Sequence, residues 1–155
     1  MRRLTIAVGF TGLVCLAACA PPDDQAASRR QVEAALVHYN SLTRQMLGDS
    51  IAALYTPDGE LLGTNAPTVR GPDSIRAFLA RFAGKVTVDS ARMWSDAITV
   101  AGSEAVQWGR YEQFATPVNQ PQVHVQGRFV ADWVRDSTGA WRLRRMLAQP
   151  APLGR

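Results

Sequence analysis

The sequence predicts an α+β domain in which helices come first and an antiparallel sheet follows. Three observations carry this reading. Apolar residues recur at helical spacing from Val32 to Met46 and again from Ile75 to Phe82. From Val86 onward the chain turns to long runs of β-formers. Turns rather than helices separate those runs, which joins neighbouring strands antiparallel.

Ser28-Arg29-Arg30-Gln31 fits a capping box, with Ser28 as N-cap and Gln31 three residues on. Val32, Ala35, Leu36, Tyr39, Leu42 and Met46 then line one face of a long helix, and Gly48 is a natural stop. Asp49 suits the cap of a short second helix reaching Tyr55, and Thr56-Pro57-Asp58-Gly59 has turn chemistry. Glu60 to Thr64 reads as a short strand, followed by a loop through Pro67 to Pro72. A third helix starts at Asp73, presents Ile75, Phe78, Leu79 and Phe82 on one face, and closes at Gly84.

Four strands follow, over residues 86–100, 104–115, 122–135 and 140–147. On the first, Val86, Val88, Trp94, Ile98 and Val100 share one parity. Ala101-Gly102-Ser103 and Asp136-Ser137-Thr138-Gly139 supply tight turns, and Thr116 to Pro121 a loop.

The first eighteen residues stand outside this domain. Arg2 and Arg3 precede an apolar run from Leu4 to Ala18 that is too short to cross a membrane, which needs about 20 residues. A positive start, a short apolar core and small residues at its end form a secretory signal. Leu16-Ala17-Ala18-Cys19 resembles the lipobox of bacterial lipoproteins. The resemblance implies a lipid on Cys19 and loss of Cys15 with the signal. A Cys-x-x-x-Cys metal clip is the other reading, but no nearby ligand completes it. Two arginines leave with the signal, so the net charge falls from +4 to +2. Basic residues are scattered apart from Arg142, Arg144 and Arg145, which speaks against a nucleic-acid surface. Residues 19–27 read as a lipidated tether, 28–149 as the domain and 150–155 as a tail. Ala20 after the cysteine implies, by resemblance to enterobacterial sorting, an exported protein on the periplasmic side of an outer membrane.

Gly48-Asp49 with Ile51 to Tyr55, Val69-Arg70-Gly71 before Ile75-Arg76-Ala77-Phe78, Gly127-Arg128-Phe129 with Trp133, and Gly139-Ala140-Trp141-Arg142-Leu143 stand in a telling order. Together they resemble the nuclear transport factor 2-like superfamily, and within it the SnoaL-like proteins. The resemblance covers about residues 30–148. It implies a cone: a bent antiparallel sheet wrapped around the long first helix, with an apolar pocket at the open end. It also implies a homodimer through the outer sheet face, where Val130 and Val134 alternate with His124, Arg128 and Asp132. The fold serves enzymes, binders and dimerisation modules alike.

Ketosteroid isomerase, in the same superfamily, uses a phenol, a carboxylate base and a protonated carboxyl. By resemblance the phenol falls on Tyr39, the base on Gly63 and the second carboxyl near Ala131. Gly63 cannot abstract a proton, and Asp132 lies on the face opposite Ala131. Tyr39 is therefore the one catalytic candidate. His38 and His124 stand in no metal-ligand spacing, and the sequence calls for no metal and no cofactor.

The remaining candidates are aromatic. Tyr39, Trp94, Trp108, Tyr111, Phe129 and Trp133 either line a pocket or fill the core. Arg145 shares strand parity with Trp141, Leu143 and Leu147. It is expected to pair with an internal acid, to anchor an anionic ligand, or to be turned outward by a bulge. The expected function is that of a lipid-anchored envelope protein whose domain binds a small apolar or weakly acidic molecule or contacts a partner. The alternative is an isomerase-, cyclase- or dehydratase-type enzyme with Tyr39 as hydrogen-bond donor.

Overall fold

A computed structural model describes residues 22–64 and 66–151. Cys15 and Cys19, and with them the signal and lipid-attachment expectations, lie outside the described residues. The elements run α1 (Pro22–Arg44), α2 (Gly48–Ala52), β1 (Tyr55–Gly63), β2 (Ala66–Arg70), α3 (Pro72–Ala80), β3 (Val86–Ala101), β4 (Glu104–Pro117), β5 (Val123–Arg135) and β6 (Trp141–Pro150).

The first helix starts at Pro22, ahead of the expected cap, and runs through most of the segment read as a tether. Proline suits a first turn because its missing N–H needs no partner there. Ser28 is then an interior residue, buried under β5. Its hydroxyl accepts from Arg135 Nη2 at 2.6 Å, while Gln31 Oε1 accepts from Trp141 Nε1 at 3.1 Å. The two residues expected to cap α1 instead dock it to the sheet. α1 closes at Met46, not Gly48: Met46 is left-handed with φ 53°, and Leu47 N–H reaches back to Leu42 O.

The six strands form one open sheet in the order β2-β1-β6-β5-β4-β3. Every pair is antiparallel except β1 and β6, which run parallel. Two segments read as turn and loop belong to this sheet. Thr56-Pro57-Asp58-Gly59 lies within β1 at an irregularity in its pairing with β6, and residues 66–70 form the edge strand β2.

Bulges decide which side chains face inward. β3 carries an extra residue between Val88 and Ser90 and another between Ser95 and Ala97. Each inverts the alternation, so Ala91, Met93 and Ser95 face inward between them and Trp94 faces outward. In β6 an extra residue opposite Asp132/Trp133 does the same. Trp141 and Leu143 point in, Arg144 and Arg145 follow, and Met146 rather than Leu147 resumes the inner face. The core lies between the helices and this inner face, with Val32, Leu36, Ile75, Phe129, Trp133 and Leu143 at its centre.

Candidate functional site: the open end of the sheet

α1 lies along the inner face of β3. Glu33, nearer its start, bonds Ser95, and Asn40, nearer its end, donates from Nδ2 to Ala91 O at 3.2 Å. Beyond that second contact the sheet and helix diverge, leaving a cavity of about 260 Å³. Small-molecule sites usually span roughly 300–1,000 Å³, so this one suits a molecule of about one or two rings.

Sheet residues make the apolar wall: Leu61, Ala91, Met93, Val125, Met146 and Ala148. α1 makes the polar wall with Tyr39, Asn40 and Thr43. Burial pushes the Tyr39 phenol above its ordinary value, and the Tyr55 and Thr43 hydroxyls beside it act in the opposite sense. Burial raises Tyr55 well above its ordinary value, and the neighbouring Tyr39 adds to the effect. The two phenols influence each other without well-formed hydrogen-bond geometry, and Tyr55 Oη is buried with no partner. Asn40 Oδ1 is likewise buried and unpartnered. Both phenols are neutral donors at pH 7.

Tyr39 is half-buried on the pocket wall, and Tyr111 lines the same pocket from β4. Burial raises the Tyr111 phenol as well. Phe129 and Trp133 are fully buried and belong to the core. Trp94 and Trp108 do not reach the pocket: they lie on the outer face, 40% and 42% exposed. For Trp94 the cause is the pair of β3 bulges, and for Trp108 the plain alternation of β4, where Gln107 and Gly109 point inward. Arg145 is outside the pocket too. The β6 bulge turns it outward, where it pairs with Glu60 at 2.9 Å and Asp132 at 3.3 Å. It anchors no pocket ligand. Asp132 also points outward, held by Arg144 at 2.8 Å, while Ala131 faces the core.

Gly63 ends β1 beside Ala66 and Ala148, and of these three only Ala148 lines the pocket. Arg92 and Glu112 touch the pocket from positions of outward parity, and Glu112 is engaged by His124 Nε2 at 2.9 Å. Among the described residues no three metal-ligand side chains converge.

Sequence reasoning missed the pocket residues Asn40, Met93 and Met146, and the buried Tyr55 beside Tyr39. Thr43 stands four residues after Tyr39, one helical turn on along the same face, and was a usable signal; Asn40, three residues before Thr43, follows from that turn. Met93 and Met146 owe their direction to bulges, for which the sequence has no local mark.

A SnoaL-like domain family model matches residues 24–147, spanning every element of this architecture. The chain belongs to the SnoaL-like family. Solved structures with the same fold include a ketosteroid isomerase-like protein from Erwinia carotovora atroseptica. It is 18% identical with a TM-score of 0.74, covering 85% of this chain and 99% of that one. A proposed scytalone dehydratase from Novosphingobium aromaticivorans is 16% identical with a TM-score of 0.72, covering 83% and 87%. A nuclear transport factor 2-like protein with a cystatin-like fold, also from Novosphingobium aromaticivorans, is 18% identical with a TM-score of 0.65, covering 86% and 92%. At such identities the likeness is one of fold. A search of curated proteins finds no match. The SnoaL-like domain here thus has a helix-and-curved-sheet frame around a pocket whose polar groups come from α1 and from the β3 and β4 residues Arg92, Tyr111, Glu112 and Gln113.

Proposed function

We propose that this chain is a lipid-anchored envelope protein whose SnoaL-like domain holds a small, neutral, mostly apolar molecule in the open end of the cone. The observation that carries the binding reading is the division of the pocket: a mostly apolar sheet wall of Leu61, Ala91, Met93, Val125, Met146 and Ala148, interrupted by Tyr111 and Gln113, faces Tyr39, Asn40 and Thr43 on a single helix. Such a site accepts an apolar ring system with one oxygen placed against α1. With Arg145 outside, a weakly acidic ligand loses its expected cation, and the charges that do touch the pocket, Arg92 and Glu112, are of opposite sign, so a neutral ligand fits better.

The test is calorimetric binding of a bicyclic ketone, 1-indanone, beside the hydrocarbon indane. Tyr39→Phe removes one neutral hydrogen bond and is expected to weaken the ketone about fivefold while leaving indane unchanged. Val125→Trp, which fills the mouth, is expected to abolish both. Affinities equal to wild type in both variants would sink the pocket reading.

The Tyr39 phenol supports a second reading, an isomerase-, cyclase- or dehydratase-type enzyme. A neutral phenol on the pocket wall, with the buried Tyr55 behind it, can stabilise a developing oxyanion. Proton abstraction beside a carbonyl is the shared elementary step, with Glu112, the one carboxylate of the pocket lining, to take the proton, and its readout is deuterium uptake by 1-indanone in D2O. Exchange no faster with wild type than with Tyr39→Phe or buffer removes this reading.

Anchoring and association are separate parts of the proposal. Cys19→Ala is expected to move the protein out of the detergent phase on partitioning. Sedimentation at several concentrations tests the homodimer, for which the outer-face row Trp108, Val130 and Leu147, exposed by 42%, 41% and 37%, is the natural seat.

A further inference from the structure

A larger concavity than the cone pocket lies on the other side of the sheet. It has a volume of about 510 Å³ and is lined by Trp94, Arg110, Arg128, Gln126 and Gln149, with Glu112 at one side. That size falls within the range of roughly 300–1,000 Å³ typical of small-molecule sites.

Strand register builds it. Trp94 pairs with Arg110, Arg110 with Arg128, and Arg128 with Gln149, so one row of outward side chains crosses β3, β4, β5 and β6. The β3 bulges put Trp94 on this row; without them the indole would face the core.

The charges in the row are unusual. Arg110 and Arg128 are direct cross-strand partners, an arrangement that like charges make unfavourable. Arg110 Nε has a partner in Asp96 at 3.1 Å. Arg128 has no ion pair and no side-chain hydrogen bond among the described residues, although it lines the cavity. The one carboxylate in the wall, Glu112, is occupied by His124 at 2.9 Å. A guanidinium fork matches a carboxylate, and a half-exposed indole offers a flat apolar face.

We propose that this outer-face groove binds a small aromatic carboxylate, its anion between Arg110 and Arg128 and its ring against Trp94. The groove shares Tyr111 and Glu112 with the lining of the cone pocket, but Trp94, Arg110 and Arg128 do not reach that pocket, so the proposal stands whether or not the cone binds a ligand.

The test is titration of the full chain with 2-naphthoate and with its neutral counterpart, 2-naphthylmethanol. The acid is expected to saturate with a Kd below about 1 mM, and the alcohol to bind at least roughly tenfold more weakly. Arg128→Gln and Trp94→Ala are each expected to weaken the acid about tenfold, and Tyr39→Phe to leave it unchanged. Arg128→Gln removes a like-charge contact at an exposed position, so it should fold, and its circular dichroism and Tm check this. Arg128→Lys keeps the charge but loses the fork, and should retain only part of the affinity.

Any of four results overturns the proposal. They are no saturation, equal binding of the alcohol, wild-type affinity in both Arg128→Gln and Trp94→Ala, or loss on Tyr39→Phe, which would move the ligand to the cone. Binding that fades as sedimentation shows the chain associating would assign the groove to a second copy instead, and also overturns it.

Discussion

The indole Nε1 of Trp133 donates to Gln107 Oε1 at 2.9 Å, with both residues buried at the centre of the inner sheet face. Gln107 in turn donates from Nε2 to Ser95, and Ser95 Oγ donates to Glu33 on α1 at 2.7 Å. One polar chain therefore ties β5, β4 and β3 to the helix that carries Tyr39. Gln107→Leu leaves the Trp133 N–H buried without a partner and is expected to cost about 1–3 kcal/mol. Urea denaturation measures the loss. Adding Trp133→Phe to the Leu variant removes the orphaned donor, at the price of a smaller ring, and the double-mutant cycle separates the two. Stability equal to wild type in Gln107→Leu would show that the chain does not hold α1 in place.

The phenol pair predicts a pH dependence. Tyr39 and Tyr55 both ionise less readily in the folded protein than in the unfolded chain, because burial disfavours the phenolate. Their contribution is fully present below the unfolded value, near pH 10, and is lost as pH rises from there towards the raised folded values. Unfolding free energy should therefore be flat through neutral pH in this respect and fall above about pH 10. The Tyr39→Phe/Tyr55→Phe double variant should show a shallower fall. Equal slopes in the two proteins would contradict the assignment.

Arg145 illustrates what the sequence could and could not say. Strand alternation made it an inward residue, with a bulge as one way out, and the bulge is what the chain uses. The core helix, the long strands and the hairpin at Asp136 were legible because periodicity and turn chemistry are local. The direction of Trp94, Met93, Arg145 and Met146 was not, because a bulge is set by the neighbouring strand. The parallel β1–β6 pair was equally hidden, since pairing partners far apart in sequence leave no local signal. Tyr39 was legible from its helical phase, whereas Tyr111 reaches the pocket from β4 and Tyr55 packs in the core beside Tyr39 only through tertiary structure.

The outward position of Arg145 makes a mild variant predictable. Its side chain is more than half exposed and its partners are Glu60 and Asp132. Exposed ion pairs contribute about 0–1 kcal/mol, so Arg145→Ala should change unfolding free energy by no more than that. It should also leave binding of 1-indanone unaltered. A loss of ketone affinity would put the residue back in the pocket.

The β5–β6 hairpin depends on a carboxylate. Asp136 Oδ1 accepts from the backbone N–H of Thr138 at 2.9 Å and of Ala140 at 3.0 Å, and Oδ2 accepts from Arg142 Nε at 2.9 Å. Hydrogen bonds from Thr138 first, and then Arg142, hold its pKa well below the usual carboxylate range. A depressed folded value means that its stabilisation is present above the unfolded pKa, about 3.9, and is lost as pH falls from there towards the folded value. Asp136→Asn should lower Tm at pH 7, and the gap from wild type should narrow as the pH drops below about 4. A gap that does not change with pH would mean that the charge is irrelevant and only the shape of the turn matters.

Gly109 sets how closely β3 and β4 approach beside the second β3 bulge. It pairs with Ser95, and a Cβ added there would stand 1.8 Å from Trp94 O and 3.0 Å from Phe129 Cε1. The nearest obstacle is backbone, which cannot swing aside as a long side chain can. Gly109→Ala must therefore push the bulge off β4, with an expected loss of about 1–3 kcal/mol or more. Because the same displacement moves Trp94, the variant should also lose affinity for 2-naphthoate. Gly63→Ala is the matched control: its Cβ would meet Ala66 Cβ at 3.6 Å, an ordinary contact, and Tm should stay near wild type. Similar Tm values for the two variants would show that the close approach at Gly109 is not a constraint on the fold.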